Sequence, residues 1–256
     1  MKINRLSSII FLIITVVLVA TIFAGCGGSV DEEYQYNTVI ETNENIPVVG
    51  EPEIEKITGY VEDKDQKFLK LPYAIENTDL EIVSIGKYSD ATISEETDKE
   101  ILALVVKNTS DQVVSFSTFN VKCDSKLTTT FSPTNLPAGM SALVYCESPY
   151  VAYEDVEILE ISEPMAVMSD SLPMLDGVVG VDYKDGNFII TNLTDEKLGD
   201  VYVRYKNCSD GNVFLGGTTY SSMASDVGAY ETYTVPAEYY VEGSSVIIAV
   251  ENYMMD

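Results

Sequence analysis

Histidine is absent from this chain of 256 residues, so chemistry would have to come from its 4 cysteines, its 41 acids, its 17 tyrosines or a Ser–Lys dyad. Without imidazole, the usual general base, the commonest metal ligand and the usual activator of a serine or thiol nucleophile are all missing. Two carboxylates facing each other across a cleft, one with a raised pKa, would still support hydrolysis. Spacing singles out no such pair. The chain therefore reads as non-catalytic, with a carboxylate-based hydrolase as the alternative, and no cofactor is implied. The turns Asp185-Gly186-Asn187 and Ser209-Asp210-Gly211-Asn212 carry oxygen ligands. A calcium loop, however, needs acids at alternate positions, so both read as hairpin turns and no metal site is assigned. Glu95, Glu96, Asp98 and Glu100 read as a solvated acidic loop. Lys107 beside Asn108 has the residue types of an intramolecular isopeptide bond, which would also require a buried acid.

Cys123 and Cys146 each end a predicted strand of the same module. In an oxidising compartment they can bridge, adding about 3 kcal/mol by restricting the unfolded chain, or they can remain two thiols; spacing leaves both open. Cys208 is expected to be a free thiol near a turn, with Lys206 as the one cation beside it in sequence. Tyrosine offers a large flat area with a polar tip at low entropic cost, which suits recognition of a glycan or protein. If the Tyr-rich C-terminal region presents such a face, it is expected at Tyr202, Tyr220, Tyr239 and Tyr240. The plainer reading is that these rings line strand faces.

The elements that must position these residues begin with a leader. Lys2 and Arg5 precede an apolar run from Ile9 to Ala24, followed by Gly25 and Cys26. A charged start, an apolar stretch and small residues before the junction are the parts of an export signal. Phe23-Ala24-Gly25-Cys26 resembles the lipobox of bacterial lipoproteins. That resemblance implies cleavage before Cys26 and acylation of its thiol, leaving the mature chain on the outer face of the cytoplasmic membrane. An uncleaved signal anchor is the alternative and gives the same topology. The C-terminus carries no second apolar span, so anchoring is expected at the N-terminus alone.

The formal net charge is −26. Nucleic acid is excluded as a partner, because binding it needs a basic footprint. Anionic headgroups are repelled as well, so membrane attachment falls to the N-terminal lipid, and self-repulsion favours a monomer. Residues 26–66 are rich in acids and interrupted by Pro47, Gly50 and Pro52, which predicts a disordered tether. Within it, Ile57 to Val61 is the one stretch able to form a short docking strand.

Beyond the tether the pattern repeats. Val105-Val106-Lys107-Asn108-Thr109-Ser110-Asp111 lies against Ile189-Ile190-Thr191-Asn192-Leu193-Thr194-Asp195, each an apolar strand ending in Asn-x-(Ser/Thr)-Asp. An alternating strand follows each, Phe119 to Cys123 and Val201 to Lys206. Gly139 and Gly228 then open further strands, and Val156 to Ile161 and Val246 to Val250 close the units. Period-2 runs and turn clusters recur with no sustained helical period. The prediction is an all-β chain: signal peptide 1–25, tether 26–66, β-sandwich module 67–163, linker 164–176 and β-sandwich module 177–256. Asn192-Leu193-Thr194-Asp195 followed by Asp210-Gly211 resembles the FxLYD-type Ig-like modules of Gram-positive lipoproteins, and the first unit resembles them without the Asp-Gly step. The resemblance implies an Ig-like sandwich and says nothing specific about activity. The expected role is a membrane-tethered protein presenting its modules to a cell-surface protein or glycan, or serving envelope structure. A solute-binding lipoprotein feeding a transporter is the alternative.

Overall fold

Runs of Val, Ile, Thr and Tyr bounded by turn residues become strands throughout, and the molecule is all-β. The computed structural model describes residues 46–47, 49–89, 100–124, 127–147, 150–209, 212–215 and 219–254. The leader, Cys26, most of the tether, Glu95, Glu96, Asp98 and the Asp210-Gly211 step lie outside them. Among the described residues the only helical pieces are single 3₁₀ turns at Ile54–Lys56 and Tyr153–Asp155, and no helix is long and apolar enough to cross a membrane.

Two repeats with one strand plan account for most of the structure. In the first, β3 (Leu80–Tyr88), β4 (Ile101–Asn108) and β8 (Ser141–Tyr145) pair antiparallel in that order. Facing them, β5 (Val113–Lys122) is flanked on one edge by β6 (Thr128–Phe131) and β7 (Thr134–Leu136), and on the other by β9 (Glu160–Ser169). In the second, β10 (Val179–Lys184), β11 (Asn187–Asn192) and β15 (Thr232–Pro236) form the matching sheet. Opposite it, β12 (Gly199–Ser209) lies between β14 (Tyr220–Val227) and β16 (Ser245–Tyr253). Phe119, Phe131 and Leu104 centre the first core; Phe188, Tyr205 and Val203 centre the second.

The repeated Asn-x-(Ser/Thr) motif is a buried clamp. Asn108 Nδ2 donates to the carbonyls of Gln112, Leu136 and Pro137 at 2.8, 2.9 and 3.1 Å, while its Oδ1 accepts from Ser110 N and Oγ. Asn192 repeats this, donating to Glu196 and Gly228 carbonyls at 2.7 and 2.8 Å and accepting from Thr194 N and Oγ1. A buried amide that satisfies otherwise orphaned carbonyls explains the motif without covalent chemistry. The isopeptide idea at Lys107 and Asn108 therefore gives way to hydrogen bonding. Asp185 and Gly186, both at positive φ, form the two-residue turn between β10 and β11, whose flanking Lys184 and Asn187 pair.

Three boundaries differ from the sequence expectation. Residues 164–169 belong to β9, not to a linker, because β5 offers a free edge along its length and β9 fills it. For the same reason the strand expected at Val156 to Ile161 starts later, at Glu160, after the 3₁₀ turn at Tyr153–Asp155. The far end of the tether is ordered and includes the docking strand expected at Ile57 to Val61, shifted to β1 (Tyr60–Glu62), which pairs with β3; β2 (Tyr73–Ala74) also pairs with β3. Ile57 and Tyr60 cover the outward face of β4 at Ala103 and Val105. That burial supplies the hydrophobic gain the tether otherwise lacks. It also explains why β4 reads Ile-Leu-Ala-Leu-Val-Val without alternation, since both its faces are dry.

The two repeats are fused. Strand β13 (Val213–Leu215), a hairpin arm of β12, pairs in parallel with β8 of the first repeat, Val213 opposite Ser141 and Leu215 opposite Leu143. Phe214, Cys208, Val246 and Ile248 of the second repeat pack into the first core. Residues 39–256 accordingly form one compact unit.

Candidate functional site

Six aromatic residues of the second repeat form one connected cluster. Phe188 projects inward from β11 and Tyr205 from β12, their rings 5.4 Å apart and edge to face. Tyr240, from the loop after β15, packs against both, at 4.9 Å from Phe188 and 5.4 Å from Tyr205, and lies 4.7 Å from Tyr183 on β10. Outward from Tyr205, Tyr220 stacks at 5.6 Å, and Tyr239 stacks on Tyr220 at 5.1 Å. The series runs from Tyr205, 1% exposed, to Tyr239, 67% exposed. The Tyr205 hydroxyl donates to the Glu238 carbonyl, tying the loop to the core. Burial pushes the Tyr205 phenol above its ordinary pKa, so it stays protonated as that donor.

Three of the four tyrosines nominated from sequence, Tyr220, Tyr239 and Tyr240, therefore share this region. Tyr202 does not. It lies on the outer side of β12, its ring 5.5 Å from Tyr253 and 5.6 Å from the Arg204 guanidinium. Strand parity was the available signal: Tyr202 and Tyr205 are three residues apart, and Val201 and Val203 point inward. Phe188, Tyr183 and Tyr205, which complete the cluster, were not among the residues nominated from sequence.

Beside the cluster lies a cleft of about 190 Å³ lined by Val181, Asp182, Tyr183, Tyr240, Glu242, Gly243 and Ile247. A larger cleft of about 530 Å³ sits on the first repeat between Glu62, Asp63, Lys87, Glu100, Tyr153 and Glu154. Its groups are engaged: the Tyr153 hydroxyl donates to Asp63 at 2.6 Å and Lys87 pairs with Glu100. Burial and the Asp63 carboxylate both push the Tyr153 phenol up, so it serves as a donor and not as a base. Each of these two clefts is lined by a single repeat. No cluster of metal-ligating side chains occurs among the described residues.

The three cysteines among the described residues are separate buried thiols. Cys123 and Cys146 both lie in the first core, unbridged. Cys146 Sγ accepts from Val151 N at 3.2 Å. Cys208, expected near a turn, is buried where β12 enters the first core. Burial raises all three, Cys123 to about 11 and Cys208 to about 12, so the nucleophilic thiolate is scarce at neutral pH.

Lys206 is the functional oddity that sequence reading missed. It is 6% exposed, and among the described residues its Nζ donates to Thr134 O and Oγ1 of the first repeat, at 3.3 and 3.4 Å. Burial lowers it to about 8. Comparison with protein-family models, curated proteins and solved structures finds no match to this chain.

Proposed function

We propose that the protein is a membrane-tethered extracytoplasmic lipoprotein, acylated at Cys26, whose fused β-sandwich body binds another macromolecule of the cell envelope without catalysing a reaction. The supporting observation is the tyrosine series that climbs from Tyr205 in the core to Tyr239 at the surface. An exposed aromatic fixed by stacking and by a hydrogen bond beneath it loses little freedom on binding, which is what a recognition surface needs. The leader and its Phe23-Ala24-Gly25-Cys26 junction support the anchoring half of the reading. Scarce thiolate and the absence of histidine favour binding over turnover.

Two measurements test it. Intact-mass analysis of the membrane fraction should find a chain starting at Cys26 and carrying acyl groups, and Cys26→Ala should abolish that mass. An unchanged mass and retention in Cys26→Ala would refute the lipid anchor. Proximity labelling from the mature chain on living cells should enrich envelope components whose capture falls in Tyr239→Ala. Equal capture by both chains would refute the binding surface.

A further inference from the structure

The chain turns sharply after β15. Tyr240 N donates to Ala237 O at 3.2 Å, leaving Glu238 and Tyr239 as the central residues of the turn. Tyr239 has φ of +65°, whereas Glu238 is not at positive φ. A positive φ at the third position of such a turn is normally filled by Gly or Asn, and a bulky aromatic there is a backbone outlier. The strain gains little from burial, because Tyr239 is 67% exposed. It does place one face of the ring on Tyr220 and leaves the rest to solvent. Backbone strain that positions an exposed group points to a binding role.

We propose that this region of the second repeat binds a neutral or amino-sugar glycan. The free face of Tyr239 is the stacking platform, and the Tyr183–Tyr240 cleft accepts a neighbouring ring. The inference rests on the preceding reading and names its ligand class.

Three features select a sugar. A pyranose offers a face of C–H bonds to the electron-rich face of an aromatic ring, and a rim of hydroxyls that pair with carboxylates. Tyr239 supplies the flat face, and the cleft lined by its sequence neighbour Tyr240 has Asp182 and Glu242, both exposed, at its edge. The mouth of the cleft stays open at Gly243, where an added Cβ would meet no atom within 4 Å. The platform is also rigid, since it stands on Tyr220 and Tyr205 and its turn is pinned by the Tyr205 hydroxyl at Glu238 O. Charge then narrows the class. Acids at the cleft and a net charge of −26 repel uronic-acid and phosphate-bearing polymers and leave neutral or amino sugars. Tyr230 provides an internal control. It is 69% exposed and also at positive φ, but it stacks on no ring among the described residues.

The test is calorimetry of the purified full chain in detergent with chitohexaose, cellohexaose and polygalacturonate, alongside co-sedimentation with cell-wall glycan stripped of its anionic polymers. Binding of at least one neutral probe is expected, with no heat from polygalacturonate. Tyr239→Ala should weaken that binding ten-fold or more, Tyr239→Phe should keep it within three-fold, and Tyr230→Ala should leave it unchanged. Thermal melting of each variant checks that the fold is intact. If no neutral probe binds, or if Tyr239→Ala binds as the parent does, the glycan inference falls. In that case, proximity labelling that still captures envelope proteins in a Tyr239-dependent way leaves the broader binding role standing. Loss of both removes that role as well.

Discussion

Strands β8 and β15 hold the same place in the two repeats, yet their outer edges differ. β8 is buried along almost its whole length and takes Val213–Leu215 of the following repeat as a parallel neighbour. β15 pairs only with β11 among the described residues, alternates exposed Thr232 and Thr234 with half-buried residues, and ends at Pro236. A strand edge left open invites further pairing, and polar residues with a proline are the usual protection. The first edge is thus built to be continued and the second to stop. This difference turns a repeated motif into a two-repeat body with a defined end, and the tyrosine loop sits at that end.

The comparison can be broken most directly at the ring that crosses between repeats. Phe214→Ala should cost about 4 kcal/mol, because it empties a site in the first core filled by the second repeat. Thermal unfolding should stay a single transition that moves as a whole, since the two cores share β13. A melt that splits, with only one half shifted, would show that the repeats unfold independently. The two asparagine clamps come next. Asn108→Ala strands three carbonyls and should cost about 3 kcal/mol; Asn192→Ala strands two and should cost about 2 kcal/mol. Denaturant midpoints would rank them, and the reverse order would mean that the number of stranded carbonyls does not set the cost.

Lys206 gives an effect no larger than that of Asn192, and the most diagnostic one. Its folded pKa, about 8, lies below the ordinary lysine value, so the unfolded chain holds that proton more tightly. The folded state is therefore penalised while Lys206 must carry charge, and stability rises as pH climbs from about 8 towards the ordinary value. Lys206→Met should stabilise the protein by about 2 kcal/mol at pH 7, and the advantage should fade by about pH 10. A stabilisation independent of pH would assign the gain to packing alone.

Much of the strand plan was legible in sequence because period-2 alternation and turn residues are local signals. Asn108 and Asn192 announced the repeat, since a buried amide clamp needs the same short polar partners, Ser110 and Thr194, each time. Three of the four nominated tyrosines gather in one cluster, and Tyr202 was separable by parity. Other features had no local signature. Met165-Ala166-Val167-Met168 reads equally as a linker or an edge strand, and only a free flank on β5 decides between them. Cys123 and Cys146 suited a bridge by placement, yet both thiols lie unbridged in the first core.

By itself, the amino-acid order determined the β character of the chain, its duplicated turn chemistry and its acidity, all of which are set by residue type and by neighbours in sequence. Only the tertiary structure decided that Val213–Leu215 would complete the first repeat, that Ile57 and Tyr60 would roof β4, and that Lys206 would be buried at the junction. Those outcomes depend on which open edges and apolar faces meet across long stretches of chain. The free energy of covering them belongs to the pair of surfaces and is written in neither segment alone.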